Sequence, residues 1–113
     1  WAILGGMTGV HQFVHIGAHA FCAGYSLILN DVPPFVMASG QLAIPRGLNS
    51  EGLKRRGFSK ESQLAVRRAY KTLYRNSLTV DEALEQLKEG ANDDEQVKLL
   101  VDFIASSNRG IIR

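Results

Sequence analysis

Charged side chains are almost absent from the first 45 residues of this 113-residue chain, where Asp31 is the only one apart from three histidines. All thirteen lysines and arginines, and ten of the eleven acidic residues, lie in residues 46–113. Such a contrast in composition indicates that the two halves are built on different structural plans. We therefore expect two parts, 1–45 and 46–113.

Cysteine and long apolar runs are also scarce. Cys22 is the single cysteine, so no internal disulfide can form, which is typical of a reducing compartment and favours a cytoplasmic location. No stretch approaches the roughly 18 apolar residues of a membrane span, and no signal-peptide pattern is visible. We expect no membrane insertion. The chain opens at Trp1 inside a patterned segment, without an initiator Met, and we expect it to be a fragment that lacks earlier repeats.

Apolar residues recur every six positions through the first half. These residues, called anchors here, are Leu4, Val10, Ile16, Cys22 and Ile28. Two positions before each anchor stands a small or β-branched residue, a series that continues to Val32 and Ala38. A period of six matches neither a helix nor a hairpin. It predicts a parallel β-helix with three flat walls, in which the anchors point inward.

Three histidines suggest a competing interpretation. His11, His15 and His19 are four residues apart and would line one face of a helix, as in a metal site. Gly9 and Gly17 weaken a helix, and no carboxylates stand nearby in sequence. On a six-residue repeat the three histidines diverge. We expect no metal and no cofactor.

The repeat is predicted to end at Asp31-Val32-Pro33-Pro34, because a proline at the anchor position Pro34 lacks a backbone donor. Four helices are predicted to follow and to cover the open end of the tube. Ser50 is the predicted cap of Glu51–Arg56, Ser59 caps a helix to about Arg75 with Leu64 on its buried side, Thr79 opens a capping box that leads to Gly90, and Asn92 or Asp93 caps the last helix.

Several segments resemble the UDP-N-acetylglucosamine O-acyltransferase family. They are Gly5-Gly6-Met7-Thr8-Gly9-Val10-His11-Gln12-Phe13, Ile16-Gly17-Ala18-His19, Asp31-Val32-Pro33-Pro34, Asn49-Ser50-Glu51-Gly52-Leu53-Lys54-Arg55-Arg56-Gly57-Phe58 and Arg109-Gly110-Ile111-Ile112-Arg113. The run that starts at Asn49 is the most specific of these. The resemblance covers the whole chain and corresponds to the C-terminal portion of the family.

The resemblance implies a mixed β+α fold, in which the end of a left-handed parallel β-helix is followed by a small α-helical domain. It implies a homotrimer with active sites between subunits. The implied reaction moves a 3-hydroxyacyl chain from acyl carrier protein to the 3-hydroxyl of UDP-N-acetylglucosamine, the first step of lipid A biosynthesis. The family's catalytic histidine lies in a coil before this sequence begins, so we expect no catalytic residue here and an inactive fragment.

The resemblance also assigns substrate-binding residues, which are His11, Gln12, Asn49, Glu51, Arg55 and Arg56. Guanidinium groups suit pyrophosphate oxygens, and the neutral polar groups suit a sugar or a base. Gly24 and Leu42 stand where the family measures acyl length, although Leu42 departs from the histidine expected there. A basic face formed by Arg67, Arg68, Lys71 and Arg75 is a candidate contact for acyl carrier protein. The simpler alternative is a solvated surface for the polar and basic residues, and a glycine that fits a turn for Gly24.

Two other functions remain open from the sequence. One is another hexapeptide-repeat transferase, such as the UDP-3-O-acylglucosamine N-acyltransferase. The other is a non-catalytic basic helical binding module. Interspersed acids such as Glu61, Glu82 and Glu85, and a net charge of only +2, weaken nucleic-acid binding, and we expect no nucleic-acid partner.

Overall fold

The first part of the computed structural model, which describes residues 1–113, is a coil of short parallel strands. The strands are β1 (Ile3–Leu4), β2 (Gly9–Val10), β3 (Phe21–Cys22) and β4 (Leu27–Ile28). β1 pairs with β3 and β2 pairs with β4, and each residue faces the one eighteen positions later. Three hexads therefore complete one coil, and the predicted parallel arrangement is confirmed.

Anchor residues point into the coil, but their burial depends on their place in the stack. Cys22 and Ile28 are fully buried, and burial raises the pKa of the Cys22 thiol. Leu4 and Val10 are more exposed, because no strand pairs with β1 or β2 on its other side. The six-residue spacing thus predicts which way a side chain points, and the stacking of coils decides how far it is covered.

Corners between the walls are made by residues in the left-handed region of φ. Four of these are spaced six apart, and their φ angles are 59° at Met7, 66° at Phe13, 58° at His19 and 62° at Tyr25. The glycines that follow anchors serve close packing instead. A Cβ atom at Gly17 would lie 2.3 Å from the backbone nitrogen of Pro34 in the next coil, so no larger residue fits there.

The register changes in the second coil. Ile16 faces Val32 in an isolated parallel bridge, and Cys22 faces Ala38, so partners are sixteen residues apart there. Val32 and Ala38 therefore hold anchor positions, and the prediction that Pro34 is an anchor was wrong. The second coil is two residues shorter than the first, which shifts every later residue relative to the six-residue count.

The repeat also continues past the point where it was predicted to end. Strand β5 (Val36–Gly40) adds to the wall formed by β1 and β3. Strand β6 (Ala43–Leu48) then pairs with β5 in an antiparallel hairpin. Because β6 crosses residue 45, the predicted boundary lies inside a strand, and the division into 1–45 and 46–113 stays a prediction.

Four helices follow the hairpin. They are α1 (Ser50–Arg55), α2 (Lys60–Tyr74), α3 (Val80–Gly90) and α4 (Glu95–Ser106). The predicted caps Ser59 and Thr79 are confirmed, and Thr79 forms a complete capping box with Glu82. None of these helices is long and apolar enough to cross a membrane.

Three helix predictions were wrong in detail. Asn49, not Ser50, caps α1, because its side chain accepts the Gly52 amide. Asp94 caps α4 by accepting the amides of Gln96 and Val97, so neither Asn92 nor Asp93 does. On α2 the side chain of Leu64 is 55% exposed and Val66 takes its place in the core. Each observed cap or buried residue lies one or two positions from the predicted one. The sequence pattern locates the helix, and tertiary packing decides which of the neighbouring residues is used.

The helices close one end of the coil and share a core with it. Tyr70 of α2 and Ile112 pack in one buried cluster with Cys22 and Ile28. A second cluster lies among the helices and includes Phe35 from the coil. The two parts of the chain are therefore packed through apolar side chains rather than joined by a loose linker.

The C-terminal segment returns to the coil at Asp31, which is buried. The backbone of Asp31 pairs with Gly110 and Ile112, so the tail forms an isolated parallel bridge between Ile111 and Asp31 of the coil. The Asp31 carboxylate accepts the His15 amide at 2.8 Å and the Ser107 hydroxyl at 2.6 Å. Asp31 thus connects the coil to the end of the last helix through these hydrogen bonds.

Candidate functional site

Helix α1 carries the most distinctive run of the sequence. It begins at Ser50, ends at Arg55, and is followed by Arg56 and by Gly57, whose φ of 78° is easy only for glycine. Leu53 is its buried residue and packs into the core among the helices. That single apolar contact leaves the remaining side chains of α1 free to face solvent.

Asn49 fastens α1 to a corner of the coil. Its Oδ1 atom accepts the Gly52 amide at 3.2 Å, and its Nδ2 atom donates to the His19 carbonyl at 3.0 Å. A Cβ atom at Gly52 would lie 2.3 Å from Nδ2, so glycine is required there for the amide to fit. The position of α1 is therefore fixed by a buried side-chain amide whose oxygen and nitrogen are both hydrogen-bonded.

A cleft of about 340 Å³ lies between this helix and the wall formed by β1, β3 and β5. Its lining brings together Asn49, Glu51, Arg55 and Arg56, four of the six predicted substrate-binding residues. The coil side of the cleft is lined by Trp1, Ile3, His19, Phe21 and Met37. A polar, basic rim thus faces an apolar wall, an arrangement that suits a ligand with both an anionic and a planar or apolar part.

Neither arginine of the cleft has a carboxylate partner. The ion pairs of the chain are His15–Asp31, Glu85–Lys88 and Lys98–Asp102, all outside the cleft. The Arg56 guanidinium lies 3.5 Å from the centre of the Trp1 ring. Because Arg55 and Arg56 are both exposed and unpaired, their N–H donors are available to an anion.

His19 lies in the cleft wall. Burial lowers the pKa of its ring, and the positive charge of Arg56 lowers the pKa further. The ring stacks on Phe35 at 6.0 Å and meets the edge of Phe58 at 4.9 Å. Positive charge in this cleft is therefore carried by the arginines.

His11 and Gln12 lie apart from this cleft. The Nδ1 atom of His11 is 2.9 Å from the Gln12 carbonyl and 3.1 Å from the Arg109 guanidinium. Nδ1 can donate to the carbonyl or accept from Arg109, but not both at once. Within one chain the structure does not bring this predicted pair to the residues of α1.

Gly24 and Leu42 are exposed on one corner of the coil. The Gln41 side chain donates to the Tyr25 carbonyl at 2.9 Å, which places the turn of the hairpin beside the corner that contains Gly24. His15 is exposed and contacts Asp31. No three His, Cys, Asp or Glu side chains lie close enough together to hold a metal ion.

Trp1 and His19, two ring-bearing residues of the cleft, were not among the predicted site residues. A signal for both was present, because they are eighteen residues apart. That is one full coil, the same offset that places Ile3 opposite Phe21. The predicted stacking alone therefore brings the two rings to one side of the tube.

Comparison with known proteins agrees with these features. The family described as Udp N-acetylglucosamine O-acyltransferase; Domain 2 matches residues 31–112. Acyl-[acyl-carrier-protein]–UDP-N-acetylglucosamine O-acyltransferases of Burkholderia mallei and Burkholderia thailandensis are each 56% identical over all of this chain. The chain spans 45% of the length of these curated relatives.

Solved structures show the same relationship. The UDP-N-acetylglucosamine acyltransferase of Francisella novicida is 46% identical with a TM-score of 0.94, over 99% of this chain and 41% of that protein. The UDP-N-acetylglucosamine O-acyltransferase of Moraxella catarrhalis is 43% identical with a TM-score of 0.95, over 99% and 44%. The chain therefore belongs to the UDP-N-acetylglucosamine O-acyltransferase family.

Proposed function

We propose that this chain is the nucleotide-holding C-terminal part of an acyl carrier protein-dependent UDP-N-acetylglucosamine O-acyltransferase. The reaction moves a 3-hydroxyacyl chain from acyl carrier protein to the sugar 3-hydroxyl, the first step of lipid A biosynthesis. One observation carries the proposal, namely that α1 places two unpaired guanidinium groups in one cleft beside Glu51. The relatives bear the same activity in their names.

Arg55 and Arg56 bind the diphosphate of the nucleotide sugar in this proposal. Guanidinium groups form short, charge-assisted hydrogen bonds with phosphate oxygens, often two at a time. Glu51 is exposed at the first turn of α1 and accepts hydrogen bonds from ribose hydroxyls or the uracil N–H. Asn49 is only 5% exposed, and both Oδ1 and Nδ2 of its amide are already hydrogen-bonded. Its chief contribution is therefore to hold the helix in place.

His11 and Gln12 act in a cleft shared with a neighbouring subunit of a homotrimer. The left-handed coil would then present the corner after β2 to the partner's α1. Large apolar side chains on the outside of the coil support this assembly, among them Phe13, Leu27 and Leu29. The catalytic histidine belongs to an upstream coil of the longer protein, so the residues of this chain bind and orient the substrate.

Two further surfaces take part in acyl transfer. Gly24 and Leu42, on one corner of the coil, line the acyl chain and set its length. The basic face of α2, formed by Arg67, Arg68, Lys71 and Arg75, is exposed. Such a face raises the rate of encounter with an acidic partner such as acyl carrier protein. Both assignments stay predictions from the family resemblance.

The activity is tested in a full-length protein that carries this sequence. It is incubated with 3-hydroxyacyl–acyl carrier protein and UDP-N-acetylglucosamine, and the product is analysed by mass spectrometry. An ester-linked acyl group on the sugar is the expected result. An amide-linked product would support an N-acyltransferase instead, and the absence of any acylated nucleotide sugar would overturn the proposal.

A further inference from the structure

Trp1 is the only tryptophan of the chain, and it lies in the wall of the α1 cleft. The indole does not belong to either buried apolar cluster. Its one close partner among charged groups is the guanidinium of Arg56, whose central carbon lies 3.5 Å from the ring centre. The ring therefore contacts a binding residue rather than filling the core.

The two arginines of the cleft differ because of this contact. Arg56 is held against an aromatic face, whereas Arg55 has no hydrogen bond, ion pair or ring contact from its guanidinium group. A free arginine side chain loses rotamer freedom when it binds a ligand, and that loss weakens binding. A guanidinium that already rests on a ring has less freedom to lose, and its edge N–H groups stay open to an acceptor.

We propose that Trp1 is a positioning residue, whose indole ring holds the Arg56 guanidinium in the cleft so that it meets the phosphate oxygens of a nucleoside diphosphate. This role rests on the proposed function of the α1 cleft. It adds a residue from the coil to a binding group that otherwise comes from α1 and its flanks. The coil and the helix then form the phosphate site together.

Neighbouring groups are consistent with a site for an anion at this point. Burial and the charge of Arg56 lower the pKa of His19, which lies in the same wall. No carboxylate forms an ion pair with Arg56, and the acid of the cleft, Glu51, makes no ion pair either. The cationic end of the cleft therefore has no internal counter-ion.

The test compares UDP with uridine, which lacks the phosphates, by calorimetric titration of a full-length protein that carries this sequence. Trp1→Leu is expected to weaken UDP binding about two- to fivefold, the range of an exposed cation–π contact. Trp1→Phe keeps an aromatic face and should restore most of the affinity. Uridine binding should be the same in all three proteins.

A double variant separates positioning from other roles. In the Arg56→Gln background, Trp1→Leu is expected to cause no further loss of UDP affinity, because there is no guanidinium to position. An equal loss in that background, or an equal loss for uridine, would overturn the positioning role. Unaltered UDP affinity in Trp1→Leu would overturn that role alone. If the unmodified full-length protein bound no UDP, the nucleotide function of the cleft would fail, and the role of Trp1 with it.

Discussion

The side chain of Asn49 donates from Nδ2 to the carbonyl oxygen of His19 at 3.0 Å, across thirty residues of sequence. His19 is a corner of the coil, and Asn49 is the cap of α1. One buried amide therefore connects the part of the chain that repeats with the helix that carries Arg55 and Arg56. The geometry of the cleft depends on this connection.

Asn49→Ala removes both the cap and the tie to His19. Loss of a cap, together with a buried carbonyl left without its donor, is expected to lower the free energy of unfolding by about 1–3 kcal/mol. Urea denaturation measures the difference. Ser50→Ala is the matched control at the adjacent position and should stay within about 0.5 kcal/mol of the unmodified chain. If the two variants had equal free energies of unfolding, the structural role of Asn49 would be contradicted.

Asp31 is expected to be the most sensitive polar residue of the coil. Asp31→Ala leaves the His15 amide and the Ser107 hydroxyl without their acceptor, which should cost about 3 kcal/mol. Thermal unfolding followed by circular dichroism gives the measurement. Asp102→Ala removes an exposed carboxylate paired with Lys98 and should cost only about 0.5 kcal/mol. A small effect at Asp31 would show that the C-terminal segment is not held there.

The stacking of the two coils is tested at glycine positions. In Gly17→Ala the new methyl group meets the backbone of Pro34 in the next coil, and overpacking of this kind costs about 1–3 kcal/mol. Gly6→Ala is the control, because nothing lies within 4 Å of a Cβ atom there. Chemical denaturation should give a clearly lower free energy of unfolding for Gly17→Ala than for Gly6→Ala. Similar stabilities would contradict the sixteen-residue register of the second coil.

His19 is expected to make stability depend on pH. Its pKa in the folded chain lies below the ordinary value of 6.5, so the fold favours the neutral ring. The stabilisation is complete above pH 6.5 and is lost as the pH falls from there towards the folded pKa, where the unfolded chain binds the extra proton. NMR titration of the His19 ring measures that pKa directly.

The charge of Arg56 contributes to the lowered pKa of His19. Arg56→Gln should therefore raise the pKa of the His19 ring, whereas Lys54→Gln, on the same helix, should leave it unchanged. If the two substitutions moved this pKa equally, the proximity of Arg56 to His19 would be refuted.

Much of the coil was predictable because a six-residue period has few structural solutions. Leu4 and Cys22 stack as the anchor series requires, and Thr79 caps its helix as its capping box predicts. The sequence did not show the short second coil, since nothing local marks the loss of two residues between Ile28 and Val32. Counting six onward from Ile28 therefore placed Pro34 wrongly.

The candidate site was predictable only where its residues are neighbours in sequence. Glu51, Arg55 and Arg56 come together because the first two lie on α1 and Arg56 is the residue that caps its end. Trp1 and His19 join them because the coils stack with an offset of eighteen residues. The same offset holds for outward-facing residues as for the anchors. Whether His11 meets this cleft depends on a second copy of the chain, and no pattern within one chain determines that.

Steady-state kinetics of Arg55→Ala, in a full-length protein that carries this sequence, is the most direct test of whether the α1 cleft binds the nucleotide. Loss of a charge-assisted contact with the diphosphate should raise the KM for UDP-N-acetylglucosamine by about tenfold or more, with the fold intact by circular dichroism. Lys54→Ala, on the same exposed helix, should leave KM near its original value. A KM unchanged by Arg55→Ala would contradict the assignment of this cleft to the nucleotide.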